Sequence, residues 1–324
     1  MRAVQLTAYG SPGEGLKFVD IPEPVPPRAN QVLLGIEYSP INMSDLLVAY
    51  GVYPLRPTLP TVIGNEGVGR VLAVGPGVQS VKVGDRVLAP LNSSAWTERL
   101  VVPADDLFAL PPDADVQQLA MLGINPPTAA LLLSEFVDLK AGDWVVQNAA
   151  NSGVGRAVIA FAKKRGLRTV NLVRREEVVG ELKALGGDLV VLDAPEGRER
   201  IKAAIAKEAP RLAIDGVGGG ATATLSAIVS RGATIVSYSA MSREPMSINA
   251  VDLIFKGVVV RGFWLGDPAH AAKIQPILKE AAQMVRAGQL RVPVAATYPL
   301  SAIKDAVAHV QRGGKVLLEI AAAR

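Results

Sequence analysis

A chain of 324 residues and 34.0 kDa exceeds the size at which one hydrophobic core usually stops growing, so two packed domains are expected. With 49% hydrophobic and 20% charged residues it is an ordinary folded chain; the absence of cysteine removes disulfides, thiolate nucleophiles and the common structural zinc sites, so no metal is expected. The net charge of +4 is scattered, without the aromatic-interleaved basic tract of a nucleic-acid binder, and suits a polyanionic substrate such as a nucleotide, CoA or an acidic carrier protein.

In chain order, residues 3–9 read as a strand following directly on Met1-Arg2, with no basic leader and apolar run, which predicts a cytoplasmic protein. The proline-rich stretch 21–27 cannot donate regular ladder hydrogen bonds and is a predicted loop. Short apolar or alternating runs at 31–38, 68–74 and 86–89, separated by turns such as Gly75-Pro76-Gly77 and Gly84-Asp85, predict a small β-barrel in the first third. The uncharged segment 117–134 is broken by Asn125-Pro126-Pro127, so no membrane span is expected there.

From about residue 126 the pattern changes. Predicted buried strands at 144–147, 169–173, 189–192, 212–214, 234–238 and 258–263 alternate with helical segments such as 155–165, 176–185 and 221–230. Such alternation implies a parallel sheet with helices on both faces, a doubly wound α/β domain. Two further helices, around 269–287 and 301–312, and a last strand at 315–320 do not continue it and are assigned to the first domain, which becomes discontinuous. The two histidines, His270 and His309, fall in these helical stretches and are expected to be solvated, which argues against a histidine-dependent hydrolase.

The strongest local signal is Ala150-Asn151-Ser152-Gly153-Val154-Gly155, between the first strand of the alternating region and a helix. A dinucleotide fold needs a tight turn, close backbone approach to the pyrophosphate and close helix–strand packing at that point. Gly153 and Gly155 meet the later requirements, while Ala150 and Ser152 stand in place of the first two glycines of the usual pattern. About twenty residues on, where an acid would accept from an NAD ribose, the chain has Arg174-Arg175. Two guanidiniums suit a 2′-phosphate, so NADPH is the expected cofactor, with Glu176 and Glu177 close enough to neutralise them in a merely solvated loop.

With these residues in hand the chain resembles the medium-chain dehydrogenase/reductase superfamily over essentially its whole length. The resemblance is carried by Gly64-Asn65-Glu66-Gly67-Val68-Gly69-Arg70-Val71 leading to Gly84-Asp85-Arg86-Val87, and Asn65, where zinc enzymes carry a histidine, puts it with the zinc-free branch. The resemblance implies a Rossmann domain at 123–265 inserted in a GroES-like domain at 1–122 and 266–324, with the active site in the cleft between. Within that branch, Gln147 to Gly155, Asn171-Leu172-Val173-Arg174 and Arg261-Gly262-Phe263-Trp264-Leu265 are similar to the mitochondrial-type enoyl-CoA and enoyl-acyl-carrier-protein reductases.

That family's catalytic tyrosine falls on Tyr53 of Gly51-Val52-Tyr53-Pro54. The resemblance places the nicotinamide cofactor at Asn125, at Asn151, Ser152, Gly153 and Val154, and at Arg174 with its neighbour Arg175. Further on it places the cofactor at Tyr238, Ser239, Ala240 and Met241, at Phe263, Trp264 and Leu265, and at Lys315. Two departures stand out: Arg174-Arg175-Glu176 replaces the family's Arg-Asp-Arg, leaving open which second arginine meets the phosphate, and Ser239-Ala240 replaces a glycine pair.

The implied reaction is hydride transfer from NADPH to C3 of a trans-2-enoyl thioester, on CoA or acyl carrier protein, with Tyr53 giving a proton to C2, since a phenol keeps its proton at neutral pH. A quinone or enone reductase and a non-catalytic NADPH-binding protein are the alternatives. The predicted edge strand 258–263 suggests a homodimer, and nucleic acid and membrane are not expected as partners.

Overall fold

The computed structural model describes residues 1–105, 107–205 and 208–320. They form two units, one of residues 1–124 and 278–320 and one of 125–277. The second division falls inside the helix Ala271–Arg286, one residue after Pro276, which cannot supply an N–H to the helix ladder.

In the first unit, β1 (Arg2–Leu6) pairs antiparallel with β2 (Leu16–Asp20) and with β4 (Thr61–Val62). A six-stranded sheet is built on β3 (Gln31–Pro40), which pairs antiparallel with β5 (Gly67–Val74), β7 (Arg99–Pro103) and β15 (Lys315–Glu319); β6 (Arg86–Ala89) extends it beyond β5, and β14 (Val294–Pro299) runs parallel to β15. Val32, Leu34 and Ile36 alternate inward from β3 and meet Leu6, Leu16, Leu46 and Trp96 in one dry core. The first predicted strand ends at Leu6 because Thr7 turns back, its N–H donating to the Gly15 carbonyl at 2.9 Å.

The second unit is a doubly wound sheet of β8 (Trp144–Gln147), β9 (Arg168–Val173), β10 (Leu189–Leu192), β11 (Leu212–Asp215), β12 (Thr234–Ser237) and β13 (Val259–Gly262). All its pairs are parallel, in the order β10-β9-β8-β11-β12-β13, so the chain reverses direction across the sheet between β8 and β11. In such sheets ligands bind at the carboxyl ends of the strands at that reversal. Both faces are covered: Val146, Val170, Leu172 and Ile235 pack on the side of helices Pro195–Ile205 and Ala221–Ile228, while Val173 and Val190 pack with Ile159 and Leu182. Strands buried in this way read as continuous apolar runs, which is why their positions were legible; β13, expected to be buried too, is exposed along its length because it stands at the end of the sheet.

The histidines are not the solvated side chains expected. His309 Nδ1 lies 3.0 Å from the Tyr298 hydroxyl, and His270 stacks on Phe263 with ring centroids 5.0 Å apart. Among the described residues no helix is long and apolar enough to cross a membrane.

Candidate functional site

In the second unit the turn after β8 is stitched to both neighbouring strands. Asn148 N–H donates to the Ile214 carbonyl at 3.3 Å and Ala150 N–H to the Leu172 carbonyl at 3.4 Å. Ala149 takes a left-handed φ of 47°, so the tight turn is made without the first glycine of the dinucleotide pattern. Ser152 caps the helix Gly153–Lys164, its Oγ accepting from Gly155 N–H at 3.1 Å. A β-carbon on Gly155 would sit 2.5 Å from the Ala150 carbonyl oxygen, which is the close helix–strand approach that the third glycine of the pattern permits. Gly153 serves differently: a β-carbon there would lie 2.5 Å from Asn125 Nδ2.

Asn125 opens the helix Asn125–Leu132 and is only 8% exposed, yet its Nδ2 has no hydrogen-bond partner in the protein. A buried donor left unpaired is costly, and an acceptor on a bound molecule satisfies it. The residues therefore fit a nucleotide cofactor. Asn151 is held from behind by Arg156, whose Nε donates to the Asn151 carbonyl at 3.2 Å while Nη2 pairs with Glu181 at 2.8 Å. Val154 is buried beside it.

Arg174 and Arg175 follow β9 directly and both are exposed; Arg175 pairs with Glu177 at 3.3 Å. Tyr238 follows β12, its N–H donating to the Asp215 carbonyl at 3.1 Å and its hydroxyl lying against Gly216. Burial pushes the Tyr238 phenol up to about 12, with a side-chain hydrogen bond to Ser152 pulling the other way. Ser239 and Ala240 continue the loop, and Met241 N–H reaches the Gly216 carbonyl at 3.4 Å. After β13, Phe263 meets Phe136 edge-on at 6.2 Å; Trp264 is 39% exposed and lies over Gly266, with Leu265 half-buried between them.

Two residues that sequence reasoning missed organise these loops. Asp215, fully buried at the end of β11, accepts from the N–H groups of Val217 and Gly218 at 2.9 Å each, from Asn148 Nδ2 at 2.7 Å and from Thr222 Oγ1 at 2.5 Å. Asn148 in turn accepts from Gly216 N–H at 2.8 Å, tying the end of β8 to the end of β11. The run Gly216-Val217-Gly218-Gly219-Gly220 was the available signal for this loop.

The first unit holds the other predicted residues. Tyr53 is half-buried against the apolar core, on the loop after the helix Met43–Tyr50, with its backbone N–H donating to the Leu47 carbonyl at 3.2 Å. Lys315 Nζ donates to Asn42 Oδ1 at 2.6 Å, and Asn42 Nδ2 donates to Glu66 Oε1 at 2.7 Å. Glu66 also accepts from Ile124 N–H at 3.0 Å, and Asp45 accepts from the N–H groups of Asn42 at 2.7 Å and Asn65 at 2.9 Å. Burial pushes Asp45 up to about 7 and raises Glu66, while it lowers the Lys315 ammonium against the pull of the two acids. Asn42, Asp45 and Glu66 were not foreseen; Asn42-Met43-Ser44-Asp45 before an apolar run is a helix-start signature that would have flagged the first two.

Two family profiles match, the alcohol dehydrogenase GroES-like domain over residues 28–112 and the zinc-binding dehydrogenase over 153–287. The mitochondrial enoyl-[acyl-carrier-protein] reductase of Caenorhabditis elegans is 38% identical over 269 residues, covering 82% of this chain and 77% of the relative. The chain belongs to the enoyl thioester reductase family. That family is a zinc-free branch of the medium-chain dehydrogenase/reductases and is NAD(P)-dependent; this enoyl thioester reductase family member has no cysteine, and its Asn65 amide donates to Ser44 at 2.9 Å.

Among solved structures, a complex of Etr1p with NADP and crotonyl-CoA superposes with a TM-score of 0.88 at 26% identity, over 98% of this chain and 99% of the other. A quinone oxidoreductase from Pseudomonas syringae superposes with a TM-score of 0.84 at 29% identity, again over 98% and 99%. The cytoplasmic placement read from the first residues is corrected by the relatives: the nematode reductase is named as a mitochondrial enzyme. The start of a strand is a poor guide to compartment.

Proposed function

We propose that the protein reduces the C2=C3 double bond of trans-2-enoyl thioesters, carried on CoA or acyl carrier protein, using NADPH. When bound, NADPH supplies the hydride that goes to C3. In this reading the unit of residues 125–277 is the nucleotide-binding domain and the discontinuous unit of 1–124 and 278–320 the catalytic one. Asn125 donates its unpaired Nδ2 to the cofactor, the turn at 151–154 faces the pyrophosphate, and Arg174 with Arg175 pairs the 2′-phosphate. The loops at 238–241 and 263–265, with Lys315, supply the remaining cofactor contacts.

Tyr53 gives its phenolic proton to C2 as the enolate collapses, and water reprotonates it. The observation that carries this reading is the setting of Tyr53, a phenol half-buried on an apolar core and held by its own backbone at a helix end. Membership of the enoyl thioester reductases supports the substrate class, as does the relative solved with NADP and crotonyl-CoA. A second reading, an NADPH-dependent quinone reductase, draws on the likeness to the Pseudomonas syringae enzyme.

The two readings separate when crotonyl-CoA, a benzoquinone and an aldehyde are compared side by side by loss of reduced cofactor. Tyr53→Phe abolishes crotonyl-CoA reduction and spares quinone reduction if the first reading holds. A variant as active on crotonyl-CoA as the wild type refutes it.

A homodimer completes the proposal. Among the described residues β13 is an edge strand paired only with β12, and the preceding helix Ala250–Lys256 leaves Ile254 70% and Phe255 65% exposed beside Val251. An apolar surface of this kind is unusual on a lone protomer, and a second copy would cover it.

A further inference from the structure

We infer that Tyr9 is a positioning residue that grips both ends of the loop carrying Tyr53. The helix Met43–Tyr50 ends in a left-handed Gly51, φ 75°, and a β-carbon on Gly51 would lie 3.2 Å from three atoms of the Tyr9 side chain. The Tyr9 ring therefore seats the first residue of the loop. At the other end the Tyr9 hydroxyl donates to the carbonyl of Pro57. Arg56, the residue before Pro57, lays its guanidinium over the same ring, 4.6 Å from the centroid. The neighbouring Gly10 N–H donates to the Ala49 carbonyl at 3.0 Å, so the turn bearing Tyr9 is itself fastened to the helix.

Tyr53 sits between these two anchor points. Within the loop, the N–H groups of Val52 and Tyr53 both donate to the Leu47 carbonyl, at 3.1 and 3.2 Å, which fixes the start of the loop but nothing beyond Tyr53. The stretch from Pro54 to Pro57 is exposed or half-exposed, and its prolines supply no N–H to hold it. The Tyr9 side chain thus ties the far end of the loop back to its start, on either side of the point where Tyr53 packs on the core. An acid that must meet the α-carbon within hydrogen-bond reach loses rate steeply when displaced by about 1 Å. The inference rests on the reading of Tyr53 as proton donor, and it adds a residue far from Tyr53 in sequence whose hydroxyl and ring set that donor's position.

The test uses the full chain and four proteins: wild type, Tyr9→Phe, Tyr53→Phe and the double variant. Tyr9→Phe keeps the ring and deletes only the bond to Pro57, so the fold is retained, which a melting curve checks. The expected result is a fall of about ten-fold or more in kcat for crotonyl-CoA, an unchanged Kd for NADPH by fluorescence, and faster amide hydrogen exchange confined to residues 51–57. In the Tyr53→Phe background the same change costs nothing further, because the group being positioned is gone. An equal loss in both backgrounds overturns the inference, as does unchanged exchange in the loop. Full activity of Tyr53→Phe would instead defeat the proton-donor reading, while the exchange data still report whether Tyr9 holds the loop. Arg56→Met, which removes the charge over the ring, is expected to change exchange in the same loop in the same direction.

Discussion

Gly153 leaves the space that the Asn125 side chain occupies, with only 2.5 Å between Asn125 Nδ2 and the point where a β-carbon would stand. The glycine of the turn at 150–155 thus also admits a buried side-chain amide donor that, among the described residues, has no partner in the protein. Gly153→Ala pushes that donor out of place. NADPH affinity, followed by fluorescence, should fall by about ten-fold or more, the cost of a charge-neutral buried hydrogen bond lost or misaligned, while melting temperature changes little. An unchanged Kd would mean that Asn125 does not meet the cofactor.

The arginine pair makes a prediction about cofactor choice. Each hydrogen bond to a charged phosphate is worth about 1.5–3 kcal/mol, so Arg174→Ala and Arg175→Ala should each weaken NADPH binding by about ten- to hundred-fold and leave NADH nearly untouched. Glu177 already engages Arg175 at 3.3 Å, but both side chains are exposed, so that pair is a small competitor. Titrations of both cofactors against each variant measure the effect and show which arginine carries more of it.

Asp45 sets a pH dependence on stability. Burial raises its carboxyl to about 7, so in the fold it keeps a proton that the unfolded chain releases near pH 4. The unfolded state then binds fewer protons, and this group's contribution to stability declines as pH rises from about 4 to 7 and is flat beyond. Asp45→Asn, which cannot ionise, should melt with a shallower decline over that window. Glu66 is raised and Lys315 lowered in the same cluster, and their charges act on Asp45, so the comparison between wild type and variant, taken at each pH, reads Asp45 together with its coupling to these two neighbours. A wild type that gains stability relative to the variant across the window contradicts the assignment.

The apolar edge of the second unit bears on assembly. Ile254→Asp, at a residue 70% exposed and three places from Val251 on the same helix, puts a charge into any interface formed there. Sedimentation should show a wild-type dimer and a monomeric variant with its fold intact. A monomeric wild type would remove the homodimer from the proposal.

How much of this was legible beforehand follows from the range of the forces involved. Chain-local periodicity determined the second unit: apolar runs of four to six residues separated by helical segments demand strands covered on both faces, and β8 to β13 lie within a residue or two of where the pattern put them. The places of the turn at 150–155 and of the two arginines after β9 were readable too, because a fixed order of strand, turn and helix delivers them to the same end of the sheet. In the first unit β2, β4, β7 and β14 escaped notice; the place of β7, for one, is set by a partner far along the chain, β3.

What only the tertiary structure decided are the side-chain pairings made across long separations. Lys315 meets Asn42 from 273 positions away, Asp215 meets Asn148 from 67, and Tyr9 meets Pro57 from 48. No local pattern encodes such meetings, since they depend on which strands become neighbours and in what register. A residue's type states what bonds it can make; the packed core states which partner comes within reach.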